Sequence, residues 1–242
     1  MTIGDAFVSE LLGSAILILL GAGVVACSIL PKSKGFNTGW LMINFGWGFA
    51  VMAGVYVAYK SGGHLNPAVT LGLFVAGIDY AKGIDPTISN MLVYFAAQLI
   101  GAFIGAVLAY LAYKKHFDAN SDPATKLGVF ATGPAIRSYG WNFVTELLGT
   151  FVLVLWVVVA GKTPTQLGPL AVALMIVGIG ASLGGPTGYA INPTRDLGPR
   201  LAHFVLPIKD KGTSDWAYSW VPIVGPLVGG ALAGIVGAWY IA

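Results

Sequence analysis

The chain has 242 residues, of which 56% are hydrophobic and only 10% charged, and its mean hydropathy is +0.78. About a quarter of the residues of an ordinary soluble domain are charged, so this composition excludes that class and predicts an integral membrane protein lying in a lipid bilayer. The net charge of +3 is too small to point to a nucleic-acid partner, and the single cysteine, Cys27, excludes an internal disulfide and reads as a small core filler.

Apolar segments of spanning length run over residues 7–30, 40–58, 90–113, 141–161, 167–182 with some apolar extension, and 217–242. The first has no Lys/Arg stretch before it, exceeds a signal-peptide core in length and recurs in mid-chain, so it reads as a retained span. Trp40, Trp141, Trp216 and Trp220 lie near span ends, as interfacial aromatic belts do.

Two further apolar runs, 68–76 and 194–205, are too short to cross alone, because a span needs about twenty residues. Each follows an Asn-Pro pair, Asn66-Pro67 and Asn192-Pro193. Asn is a strong N-cap, and Pro at the first helical position has no N–H to leave unpaired, so each pair predicts a helix start. Two such half-helices set end to end from opposite faces would meet near the bilayer midplane.

The two halves of the chain resemble each other. Phe7-Val8-Ser9-Glu10-Leu11-Leu12-Gly13 recurs as Phe143-Val144-Thr145-Glu146-Leu147-Leu148-Gly149, and the Gly101/Gly105 pair finds a counterpart in Gly225/Gly229. The reading is one channel domain over 1–242, with a first repeat at 1–115 and a second at 140–242. Each copy holds three spans, an odd number, so the second is inverted. The expected fold class is an all-α membrane protein of six transmembrane helices plus two re-entrant half-helices.

The chemistry at the meeting point decides among function classes. Half-helix N-termini concentrate roughly half a positive elementary charge each and repel cations, while the Asn66 and Asn192 amides can donate hydrogen bonds to a permeating oxygen. An ion-coupled carrier would place carboxylates or His there, whereas both starts carry neutral Asn. Arg195 sits in the first turn of a half-helix, where a cation opposes the dipole, and its first-repeat equivalent is Val69. It reads as a pore-lining donor and cation barrier, with pairing to Asp196 as the alternative. Glu10 and Glu146 are the carboxylates within spans; they are assigned to bracing the loops 61–65 and 184–191 through backbone N–H groups, with a proton relay as the rival. His64 is placed at a vestibule, and His116 and His203 at loops or helix ends. No metal-ligand spacing, cofactor motif or nucleophile–base arrangement appears, which argues against an enzyme.

His64-Leu65-Asn66-Pro67-Ala68-Val69-Thr70 and Ile191-Asn192-Pro193-Thr194-Arg195-Asp196, with the paired Glu helices, resemble the major intrinsic proteins, the aquaporins and aquaglyceroporins. The resemblance covers the whole chain and implies one pore per subunit, a homotetramer, Pro67 and Pro193 supporting the pore loops, and both termini in the cytoplasm of a multi-pass plasma-membrane protein. The family's narrowest point aligns with Trp47, Gly180, Tyr189 and Arg195, which looks like the glycerol-conducting branch. Water-selective members usually carry His where Gly180 stands. The implied solutes are glycerol and water, with urea and dihydroxyacetone as further candidates; a water-selective aquaporin and an ion-coupled secondary transporter are the alternatives. Thr194 departs from the usual Ala and is expected to bring a hydroxyl near the pore centre. The implied orientation leaves Lys60, Lys82 and Lys162 inside, against nine Lys and Arg outside, contrary to the positive-inside rule.

Overall fold

A computed structural model describes residues 1–120, 122–164 and 166–242. Among the described residues the regular structure is helical: α1 (Ile3–Ile29), α2 (Trp40–Val57), α3 (Pro67–Ala76), α4 (Ile88–Ala112), α5 (Lys114–Ala119), α6 (Pro123–Phe130), α7 (Tyr139–Ala160), α8 (Pro169–Leu183), α9 (Pro193–Val205) and α10 (Val221–Ile241).

Five helices, α1, α2, α4, α7 and α10, are long and apolar enough to cross a membrane. The sixth expected span, α8, is shorter than the sequence implied. It has 15 residues, or about 22 Å at 1.5 Å rise. Gly168 (φ 56°) and Pro169 set its start, two residues inside the expected boundary. α5 and α6 were not anticipated within the long connection from α4 to α7. The signal for α6 was local: Asp122 accepts from the N–H groups of Ala124 and Thr125 at 3.1 Å each, and Pro123 follows it at the first helical position.

Helix pairs pack in matched fashion. α1 lies against α4, and α7 against α10. At both contacts a glycine backbone is pressed onto a carbonyl. A Cβ on Gly101 would come 2.2 Å from the Leu11 oxygen, and one on Gly229 would come 2.3 Å from the Leu147 oxygen. Without a hydrophobic force between helices in lipid, such close backbone approach supplies the association through dispersion contacts. The short helices are wedged inside this frame, α3 against α10 and α9 against α4. Large apolar side chains such as Leu41, Trp141, Ile235 and Trp239 remain exposed on the outside, as a lipid-facing surface requires.

Candidate pore and its narrow waist

α3 and α9 start in the interior of the protein. Asn66 Oδ1 accepts from Ala68 N at 2.9 Å, and Asn192 Oδ1 accepts from Thr194 N at 3.0 Å and Arg195 N at 3.2 Å. With each oxygen turned back onto its own helix, the amide nitrogen must point away. Asn66 Nδ2 donates to the Ile191 carbonyl and Asn192 Nδ2 to the Leu65 carbonyl, both at 2.8 Å. The two half-helix starts are therefore in contact. Each amide keeps a second N–H, and both residues line the central cavity.

The carbonyls that accept these bonds belong to residues in the left-handed region, Leu65 at φ 53° and Ile191 at φ 42°. Such a φ is an outlier for a bulky residue such as Leu or a β-branched one such as Ile and costs on the order of 1–3 kcal/mol, so the surroundings must enforce it. The carboxylates do so from behind. Glu10 accepts from Ser61 Oγ (2.5 Å), His64 N (2.9 Å), Leu65 N (2.7 Å) and Gln98 Nε2 (2.7 Å). Glu146 accepts from Ala190 N (3.0 Å) and Ile191 N (2.8 Å). Both side chains are fully buried, and neither lines the cavity.

Two open spaces share part of their walls. A cavity of about 240 Å³ runs past Tyr80, His64, Asn66 and Asn192, and a recess of about 180 Å³ runs past Trp40, Thr132 and Gly188. Trp47, Tyr189 and Arg195 line both. The Arg195 guanidinium stands 4.1 Å from the centre of the Trp47 ring, a cation–π distance, with Tyr189 completing the shared wall. His64 is held by Thr70 Oγ1 (3.0 Å) and the Tyr80 carbonyl (3.1 Å) at the cavity wall.

Two sequence expectations change, one residue gains a contact and one alternative drops out. Gly180 lines neither space; the Tyr189 ring lies where its side chain would be, 2.7 Å from an ideal Cβ, so this glycine makes room for Tyr189. The Thr194 hydroxyl does not line the cavity either. It donates to Asn192 Oδ1 at 2.9 Å, since the cap oxygen is its nearest acceptor. Trp40, at the start of α2, also packs inward: it meets Tyr189 edge-on, centroids 5.6 Å apart, and donates to the Gly180 carbonyl while staying part-exposed. Asp196 does not pair with Arg195. Arg200 engages it at 2.7 and 3.0 Å, and Thr132 donates to it from N and Oγ1.

The Asp196–Arg200 pair is fully buried and reaches outward, Arg200 donating to the carbonyls of Thr132, Ser214 and Asp215. It ties α9 to the loops around the recess. Farther out, Asp215 accepts from Arg137 and holds that guanidinium above its ordinary pKa. Sequence reasoning missed Gln98 and Thr70, which extend the Glu10 network to His64, and Asn44 beside Gly180. The available signal was a polar amide inside an apolar span, costly in lipid unless it has a task.

Comparison with known proteins gives a consistent answer. The profile described as Major intrinsic protein matches residues 1–237. Glycerol uptake facilitator protein 3 of Lactiplantibacillus plantarum is 55% identical over 94% of this chain and 93% of its own length. A probable glycerol uptake facilitator protein of Thermotoga maritima is 50% identical, covering 96% and 98%. The X-ray structure of the aquaglyceroporin from Plasmodium falciparum aligns with a TM-score of 0.81 at 33% identity, covering 100% of this chain and 98% of that one. With its fold and its paired Asn-Pro helix starts, the chain belongs to the major intrinsic protein family.

Proposed function

We infer that the protein is a passive channel for glycerol, and for other small uncharged solutes with water, excluding protons and ions. The observation that carries this reading is that Trp47, Tyr189 and Arg195 line both open spaces, so a molecule moving between them passes two aromatic faces and one guanidinium. A polyol fits that chemistry, laying its carbon backbone on the rings and its hydroxyls toward the guanidinium and the Asn66 and Asn192 amides. The positive ends of α3 and α9 together with Arg195 oppose hydronium and metal cations. The relatives named as glycerol uptake facilitators support the same solute. Tyr189 packed over Gly180 puts an aromatic ring, and no His, beside Trp47 and Arg195, which favours glycerol over a water-only pore.

Under this reading the chain is one channel domain of two inverted repeats, 1–115 and 140–242, assembled as a homotetramer in the plasma membrane with both termini cytoplasmic. Urea and dihydroxyacetone are secondary solutes.

Reconstituted vesicles test the proposal. The expected result is glycerol flux that does not saturate at moderate concentration and is indifferent to ion or proton gradients. Water flux without glycerol flux would assign the chain to the water-selective class, and gradient-driven accumulation to the ion-coupled carriers. Labelling of a Lys162→Cys variant from outside the cell would reverse the orientation.

A further inference from the structure

Two buried polar atoms beside the narrow waist have no partner, and they are chemically complementary. Asn44 Oδ1, on α2, is an acceptor; the Tyr189 hydroxyl is a donor. The residues are 1% and 5% exposed. Both atoms face the same point: an ideal Cβ on Gly180 would lie 2.5 Å from Asn44 Oδ1 and 2.9 Å from the Tyr189 hydroxyl oxygen. Gly180 thus keeps open the space across which these two groups look at each other.

A buried donor and a buried acceptor left unmade are each costly, whereas a bond between them removes both penalties at once. The Tyr189 hydroxyl turns freely about its C–O bond, so its proton can be aimed at the Asn44 side-chain carbonyl. Asn44 lies one turn before Trp47 on α2, so one short stretch of helix would carry one aromatic face of the waist and hold the other.

We propose that Asn44 is a positioning residue for the waist: its side-chain carbonyl accepts a hydrogen bond from the Tyr189 hydroxyl over Gly180 and thereby sets how far the Tyr189 ring projects into the solute path. The inference depends on the reading of Tyr189 as part of the narrowest point. It also gives the hydroxyl of Tyr189 a purpose, since the ring alone would line the wall as Phe does.

The test is a double-mutant cycle in reconstituted vesicles, measuring glycerol and water permeability per incorporated channel for wild type, Asn44→Leu, Tyr189→Phe and the double variant. Loss of one hydrogen bond predicts that each single change lowers the glycerol-to-water ratio roughly fivefold. The double variant should show the same fall as either single one, because both remove the same bond. Fivefold effects that multiply in the double variant would overturn the proposal, as would a Tyr189→Phe channel with an unaltered ratio. Equal losses of water and glycerol in Asn44→Leu would likewise reduce Asn44 to a packing role. If Asn44→Leu does not incorporate, Tyr189→Phe decides alone. A wild type that passes no glycerol would instead defeat the functional reading above, a separate outcome.

Discussion

Asn66 donates its side-chain amide to the carbonyl of Ile191 at 2.8 Å, and the bond joins residues 125 positions apart in the chain. Its counterpart runs from Asn192 to Leu65 at the same length. Each Asn therefore caps its own helix with oxygen and ties down the opposite loop with nitrogen.

Replacing Asn192 by Ala removes a cap and a cross-link together. Each is worth about 1 kcal/mol, so the variant should be less stable by about 2 kcal/mol. Glycerol flux in vesicles should fall with it, because the Leu65 carbonyl is released. Unchanged flux at normal incorporation would contradict this role.

The two carboxylates carry unequal loads. Glu10 accepts four hydrogen bonds from its surroundings, and Glu146 accepts two from backbone N–H groups and one from the Thr187 hydroxyl. Each orphaned buried donor costs about 1–3 kcal/mol. Glu10→Leu should therefore lower the melting temperature in detergent more than Glu146→Leu does, and the reverse order would show that the count of donors does not set the penalty.

Arg195 has no side-chain hydrogen bond or ion pair among the described residues, apart from its contact with the Trp47 face, so its charge is free to act on the pore. Arg195→Val copies the first-repeat residue Val69. Proton leak into vesicles, followed with an internal pH dye, should rise roughly tenfold, the factor that about 1.4 kcal/mol of barrier represents. A variant as proton-tight as the wild type would leave exclusion to the helix termini alone.

A single methyl on Gly180 should act on the waist indirectly. In Gly180→Ala the new carbon would meet Asn44 Oδ1 at 2.5 Å and Tyr189 Cζ at 2.7 Å, and the ring would have to move. Overpacking of this kind costs about 1–3 kcal/mol. Glycerol flux should drop roughly tenfold while water flux changes less; stopped-flow light scattering with each solute measures both.

Much of the architecture is visible in the residues. The apolar runs give the spans to within a few positions, and Asn-Pro before a short apolar run gives α3 and α9, because caps and first-turn prolines act locally. What the sequence hid was set by packing in three dimensions. Nothing local shows that Gly180 serves Tyr189, that Trp40 packs on that same ring, or that the Thr194 hydroxyl is taken by a cap. Some of the basic residues in the charge count are likewise committed within the fold. Lys126 bonds the Lys209 carbonyl, Lys211 bonds those of His203, Phe204 and Leu206, and Arg200 is buried against Asp196, so these basic groups serve as struts. Setting those three aside leaves six basic residues against three, so the count still opposes the proposed orientation.

Leu65 and Ile191 are kept in backbone conformations that neither would choose, and part of what keeps each is an amide supplied by the distant end of the chain. The tension is mutual, so a loosened loop on one side slackens its twin. A protein with a largely apolar outer surface thus locks its two halves together in its interior, through a pair of reciprocal amide bonds.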